Sequence, residues 1–248
     1  MQGQRADSRR TQARLITTAE QLFADRGIDS VSLSEINRAA GQRNKSALHY
    51  HFGDRQGLLI AILRRHLDSV EKERVKLIKP DDDLSSWSLN RLMETMVRPL
   101  YSKLDDPKGG VHYLRIRAQL SSNPPHPASR WISENLPPTM TRIVPALYAN
   151  IPPMPDMFRL RRTQLMTAAL FEALNAETYA PVSTDPDSDT WRDLQISDLT
   201  DTLCGLLTAG PSPQTAGLLA SPTVADPAKA GLGVEFRPEW AVIEPHDR

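Results

Sequence analysis

Apolar residues recur at three- and four-residue steps along most of this chain, and no long run alternates apolar with polar positions. That pattern predicts helices and no sheet, an all-α fold. Leu15, Ile16, Ala19, Leu22 and Phe23 share one face of a first helix over 9–26, and Gly27 follows as a left-handed cap. Ser32 and Glu35 stand in the S-x-x-E spacing of a capping box, with Val31 and Ile36 at the positions of a hydrophobic staple. A second helix of about two turns therefore starts there, buries Leu33, Ile36 and Ala40, and ends at Gly41. After the turn Gly41-Gln42-Arg43, Asn44 can cap a third helix over 45–51, anchored inward by Leu48 and Phe52. Asp54 can cap a fourth over 55–79, with an apolar stripe of Leu58, Leu59, Ile62, Leu63, Leu67 and Val70.

Downstream, the periodicity predicts helices over 84–104, 110–121, 128–150, 156–179 and 194–207. Proline-rich breaks fall at 123–127 and 152–155, and an acidic linker spans 180–192. The division that results is a first unit over 9–55, a connecting helix over 56–79, a larger helical unit over 80–209 and a Pro- and Gly-rich tail over 210–248, read as mostly irregular. Residues 1–8 read as a flexible polar arm, and Glu235 to Trp240 in the tail, with two aromatics, as a segment that docks.

Composition changes the picture in three ways. The chain has 248 residues, 40% of them hydrophobic, which suits a packed core and excludes wholesale disorder. Its single cysteine, Cys204, excludes an intramolecular disulfide and a thiolate zinc cluster, and its apolar neighbours Leu203 and Leu206 make it an inert buried thiol. No apolar stretch approaches the roughly 20 residues of a membrane span, and the first residues lack the apolar core of a secretory signal, so a cytoplasmic location is expected and no membrane partner.

The net charge of zero hides an asymmetry. Residues 1–80 hold fifteen Lys and Arg against nine Asp and Glu, and residues 81–248 hold fifteen against twenty-one. A basic first third suggests a module that meets a polyanion. The second and third helices, short and joined by a tight turn, fit a helix-turn-helix: the second must be small enough for a major groove about 12 Å wide and must present hydrogen-bonding side chains. Lys45, Ser46, His49 and Tyr50 are left to point away from the anchors Leu48 and Phe52. His49 and His51 stand at i and i+2, which diverge on a helix, so no metal site is expected.

The text AEQLFADRGIDSVSLSEINRAAG followed by SALHYHFGDRQGLLIAIL resembles the tetracycline-repressor (TetR) family of bacterial transcriptional regulators over about residues 18–63. The resemblance implies that Ser32 and Ser34 touch DNA phosphates, that Lys45, Ser46, His49 and Tyr50 are recognition-helix contacts, that His51 reaches the backbone, and that Arg55 clamps a phosphate. Arg55 stands where many members carry Lys, and Arg can bind a phosphate bidentately. The turn is one residue longer than the common family turn, so Arg43 and Asn44 either contact DNA or reshape the turn. The resemblance further implies a homodimer, built through the helices over 156–179 and 194–207, on a double-stranded operator.

A small-molecule effector among the middle helices is the remaining expectation. Its candidate lining is Trp87, Met93, Met96, Tyr101, Tyr113, Trp131, Met140, Met166 and Phe171, with Arg115 and Arg117 for an anionic group. A repressor released by a hydrophobic ligand is the leading reading. The alternative is a DNA-binding regulator with no such ligand, controlled by a protein partner or acting as an activator. The chain carries no Gly-rich phosphate loop, no G-x-S-x-G, no H-E-x-x-H and no clustered Cys and His, so neither an enzyme nor a cofactor is expected.

Overall fold

The computed structural model describes residues 2–42, 46–179 and 188–221, and among these the chain forms eleven α-helices and no strand. Helix α1 (Gln2–Arg26) runs through the segment expected to be a flexible arm. Residues 2–8 contain no proline, and Asp7 pairs with Arg10 one turn on at 3.9 Å, so nothing in the sequence stops the helix before the chain end. Helix α2 (Leu33–Ala39) begins on the expected capping box, the Glu35 N–H donating to Ser32 Oγ at 3.2 Å and the Ser32 N–H to Glu35 Oε2 at 3.4 Å. Helix α3 (Ala47–Phe52) starts later than the sequence suggests, with Ser46 at its N-cap position, and Gly53 (φ +77°) closes it. Helix α4 (Arg55–Arg74) is capped by Asp54, whose carboxylate accepts the Gly57 N–H at 2.8 Å.

Four expected boundaries move, each for a local reason. Helix α4 stops at Arg74 rather than near 79, because Pro80 turns the preceding residues out of helix and Asp82 takes the Lys79 N–H at 2.7 Å. The helix expected over 84–104 is a single 3-10 turn (Leu84–Ser86) and then α5 (Leu89–Tyr101), each started by its own side-chain cap, Asp83 and Ser88. Helix α6 (Gly110–Ser121) falls where expected. The helix expected over 128–150 is broken by Pro137-Pro138 into α7 (Pro127–Glu134) and α8 (Pro138–Ala149), since neither proline has an N–H to continue a ladder. Helix α9 (Asp156–Glu177) is followed, after residues outside the described set, by α10 (Ser188–Thr208), which takes in the last residues of the expected linker. Asp189 favours that helix start, and Arg192 and Asp193 are tied to α5 and its exit loop by ion pairs with Asp105 and Arg98. Helix α11 (Pro213–Leu219) lies in the segment expected to be irregular; Ser212 at the N-cap and Pro213 at the first helical position start it. The rest of that tail, including Glu235 to Trp240, lies outside the described residues.

Helix α1 packs on α2, α4 and α6, so the first helices are joined to the larger helical body through α4 and through the side of α1. A buried polar cluster lies at that junction. Glu20 of α1 is 1% exposed; its carboxylate meets the ring of His66 (α4) and, at 3.4 Å, the Arg65 guanidinium. The His66 ring stacks on Tyr113 of α6, with centroids 4.8 Å apart. Arg65 also donates to the Lys108 carbonyl at 2.7 Å, which ties the α5–α6 connection to the same point. The close approach excludes a side chain at residue 109: a Cβ on Gly109 (φ +95°) would sit 2.4 Å from Glu20 Oε2.

Gly109→Ala is therefore expected to lower stability by about 2–4 kcal/mol, the left-handed backbone cost plus displacement of a buried carboxylate. Gly53→Ala, equally left-handed but with nothing within 4 Å of the added carbon, should cost only about 1–2 kcal/mol. Urea unfolding of the two variants checks the ranking; equal losses would show that the Glu20 contact is not constraining.

Candidate nucleic-acid interface and ligand cavity

Helix α3 owes its orientation to two anchors. Ala47 and Leu48 are buried, at 8% and 2% exposure, and Phe52 packs partly buried against the core. The opposite face is therefore pushed outward: Tyr50 is 81% exposed, and His49 and Ser46 are exposed. His51 is half-buried, its ring 5.1 Å from that of Tyr50 in an edge-on arrangement. The His49 ring nitrogen Nδ1 meets the Gly53 carbonyl, which closes the end of the helix and fixes the ring beside Tyr50. Ser32 and Ser34 are exposed at the start of α2. Ser32 also serves as the helix cap, its hydroxyl oxygen accepting the Glu35 N–H. Arg26, hydrogen-bonded to Glu35 at 2.5 Å, holds that carboxyl below its ordinary pKa, so the capping box keeps its charge. Arg43, Asn44 and Lys45 lie outside the described residues.

Arg55, the expected phosphate clamp, is half-buried, and one guanidinium nitrogen donates to the Ile28 carbonyl in the α1–α2 loop. The same residue is held through its N–H as well. Gln119 of α6 accepts the Ile28 N–H at 2.9 Å and donates to the Phe23 carbonyl at 3.0 Å. The loop entering the helix-turn-helix is thus clamped between α4 and α6. Sequence reasoning did not single out Gln119, which in a sequence is one more polar residue on a helix.

Helices α4 to α9 enclose a cavity of about 240 Å³. Six of the expected lining residues stand on its wall: Met96, Tyr113, Arg117, Met140, Met166 and Phe171. The other four do not. Met93 is fully buried in the core on the same helix as Met96. Trp87 is buried under Arg91, whose guanidinium lies 3.5 Å from the ring centroid. Tyr101 is buried, its hydroxyl pushed up to about 12 chiefly by that burial. Trp131 packs half-buried beneath Arg64, 5.2 Å away. Arg115 also points elsewhere, to Asp25 at 3.2 Å and Thr178 at 3.0 Å. Composition cannot separate these groups, because a core and a cavity wall draw on the same residue types. The structure adds Leu67, Val70, Arg74, Leu147, Tyr148 and Leu170 to the wall, along with several serines and threonines.

Cys204 is 6% exposed, and burial followed by the nearby Asp201 pushes its thiol up to about 11, so it stays protonated at neutral pH. Among the described residues, no group of three or more His, Cys, Asp or Glu side chains is placed to hold a metal ion. No helix of the described residues is long and apolar enough to cross a membrane.

A capped short helix pair with an outward aromatic on the second, set on a larger helical body, defines a helix-turn-helix transcriptional regulator. Comparison with known families bears this out. Residues 15–62 match the model of bacterial regulatory proteins of the tetR family, and residues 94–210 match that of the tetracyclin repressor-like C-terminal domain. The chain belongs to the TetR family of transcriptional regulators. Over 64 residues it is 38% identical to the HTH-type transcriptional activator FasR of Mycolicibacterium smegmatis, an alignment that spans 26% of this chain and 28% of that protein. Among solved structures it is similar to the probable transcriptional regulatory protein RHA5900, at 19% identity and a TM-score of 0.50 over 81% of this chain and all of that one. It is also similar to NalD, the secondary repressor of the MexAB-OprM multidrug efflux pump in Pseudomonas aeruginosa, at 21% identity and a TM-score of 0.48 over 83% of this chain and all of that one.

Two of the candidate interface residues should separate in a stability assay. Tyr50→Ala is expected to change stability by less than about 0.5 kcal/mol, since the side chain is mostly in water. Arg55→Ala should cost about 1–2 kcal/mol, because the Ile28 carbonyl loses a charged donor. Thermal unfolding of both variants tests this, and an equal effect would contradict the clamp on Ile28.

Proposed function

We propose that the protein is a dimeric regulator that reads a near-palindromic operator, and that an apolar small molecule in the cavity releases it. The observation that carries this reading is the double use of α6. One face of that helix lines the cavity with Tyr113, Arg117 and Leu120, while Gln119 grips the loop that enters the helix-turn-helix. A ligand that shifts α6 by a fraction of an ångström moves the support of α2 and α3. Helix α4 carries the rest of the coupling, since it contributes Leu67, Val70 and Arg74 to the cavity and begins at Arg55 beside the DNA-reading unit. A hundredfold change in operator affinity requires about 2.8 kcal/mol of preference between the two states, within the usual range for allosteric coupling.

In this reading, Tyr50, His49 and Ser46 reach into the major groove with Lys45, and Ser32, Ser34, His51, Arg43, Asn44 and Arg55 meet the backbone or the groove edge. The dimer interface is the outer side of α9 and α10, where Leu165, Trp191 and Leu194 are more than half exposed and Leu206 is partly so. Apolar surface of that extent on two adjacent helices suits a four-helix bundle with a second copy. Two α3 helices about 34 Å apart would then meet successive major grooves on one side of the duplex. A second reading, in which the operator-bound protein raises transcription, is favoured by the word activator in the name of the M. smegmatis relative.

Fluorescence anisotropy with DNA from upstream of the protein's own gene, against scrambled DNA at several salt concentrations, tests the reading. Tight binding that prefers the upstream DNA and falls steeply with salt is expected. Tyr50→Ala should reduce that preference, and Arg55→Ala should lower the salt slope by about one per subunit. Unchanged binding by both folded variants would place the DNA-reading surface elsewhere. Leu194→Glu should convert the dimer to a monomer in sedimentation and abolish tight binding; a dimer that persists would overturn the proposed interface.

A further inference from the structure

The cavity wall carries two arginines, Arg74 and Arg117, and no Asp, Glu or Lys. The two are in different chemical states. Arg74 is 5% exposed and fully engaged: it pairs with Glu71 at 3.1 Å and donates from Nε to the Thr95 carbonyl at 3.1 Å. That carbonyl is available because Pro99, four residues on in α5, has no N–H to take it. Glu71 in turn accepts the Thr139 N–H at 2.9 Å at the start of α8, so the pair is neutral and built into the frame. Arg117 has no such partner. Among the described residues it forms no ion pair with a carboxylate; its guanidinium lies over the Phe171 ring at 4.1 Å, and Nη1 reaches only the Tyr113 hydroxyl, at 3.4 Å. Its Nε is buried with no hydrogen-bond acceptor. A buried donor on a cation without an acceptor is a costly arrangement, and it calls for an anionic acceptor from outside the chain.

Four of the wall's neutral hydroxyls are already committed, and Gln164, Tyr113 and Tyr148 are neutral groups that cannot compensate an anion's charge. The hydroxyls of Ser121, Ser129, Ser133 and Thr167 donate to backbone carbonyls of Ala118, Leu120, Arg130 and Thr163. The uncompensated charge of Arg117 also disfavours a cationic or quaternary ammonium guest, despite the aromatic walls. With Arg74 already neutralised, a single positive charge is left over, which matches a monoanion and leaves a dianionic phosphate half-compensated.

We propose that the cavity ligand is an apolar monocarboxylate, its hydrocarbon or aryl body against the Met, Leu and Phe wall and its carboxylate on the Arg117 guanidinium. The volume of about 240 Å³ exceeds the roughly 150 Å³ void that suffices for benzene, so a body larger than one ring is accommodated. This rests on the reading of the cavity as an effector site.

The test is calorimetric titration of the full-length protein with decanoate, 2-naphthoate, decan-1-ol, decyl phosphate and decyltrimethylammonium. At least one of the two carboxylates should bind ten times or more tighter than decanol, with decyl phosphate weaker and the ammonium weakest; which carboxylate wins separates a chain-like from an aromatic body. Arg117→Met should weaken carboxylate binding at least tenfold while decanol binds as well as or better than before, which shows that the cavity is intact. Equal binding of carboxylate and alcohol, carboxylate binding untouched by Arg117→Met, or no binding of any probe would each overturn the proposal. Operator anisotropy with the same probes keeps the two readings apart. Carboxylate binding at Arg117 with no change in DNA affinity supports the anion site and removes its regulatory meaning. Release of DNA by decanol and decanoate alike removes the anion site and leaves the effector reading standing.

Discussion

The carboxylate of Glu20, buried where α1, α4 and α6 meet, constrains much of what surrounds it. A charged group out of water is tolerated only with partners on every side. Here the partners come from elsewhere in the chain: His66 and Arg65 from α4, with Tyr113 stacked behind the His66 ring and Gly109 clearing space. The first helix is thereby registered against the two helices that line the cavity, rather than merely resting on an apolar face that could slide. Removing one partner of such a buried pair typically costs about 3–5 kcal/mol, so the junction is stiff. In the proposed mechanism, that stiffness lets a small displacement at α6 reach the loop at Ile28.

Two of the polar fastenings between the DNA-reading and cavity-lining parts, those at Glu20 and at Ile28, differ in kind. At Glu20 a buried carboxylate meets a buried imidazole and a partly exposed guanidinium. At Ile28 the bonding groups are the backbone N–H, held by Gln119, and the backbone carbonyl, held by Arg55, on either side of one residue.

Features coded by neighbours in sequence were legible before the structure. The Ser32–Glu35 box, the Asp54 cap and the Leu48 anchor each depend on residues within a turn of one another, and each stands where the pattern places it. Two local signals were overlooked though present: Pro137-Pro138, which splits a helix, and Ser212-Pro213, which starts one. The long-range arrangements were not legible at all. Nothing near Gln119 in sequence indicates that it binds a peptide 91 residues away, and nothing near Met93 distinguishes it from Met96, one turn apart on α5, the first in the core and the second on the cavity wall. Those assignments depend on which way each helix is rotated, which only the packing decides.

Pro99 shows how far a covalent detail can reach. By withholding one N–H it leaves a carbonyl that binds Arg74 into the frame, while Arg117, the other arginine of the wall, keeps a buried Nε without an acceptor. In the proposed site, framework and selectivity are thus carried by different side chains. Under that proposal, exchange at residue 117 alters which small molecules are received without disturbing the scaffold that holds the helix-turn-helix. The same exchange at residue 74 would strand a carboxylate and a carbonyl together. A scaffold divided in this way can be retuned one position at a time, both by natural divergence and by the engineering of a biosensor with a chosen input and an unchanged output.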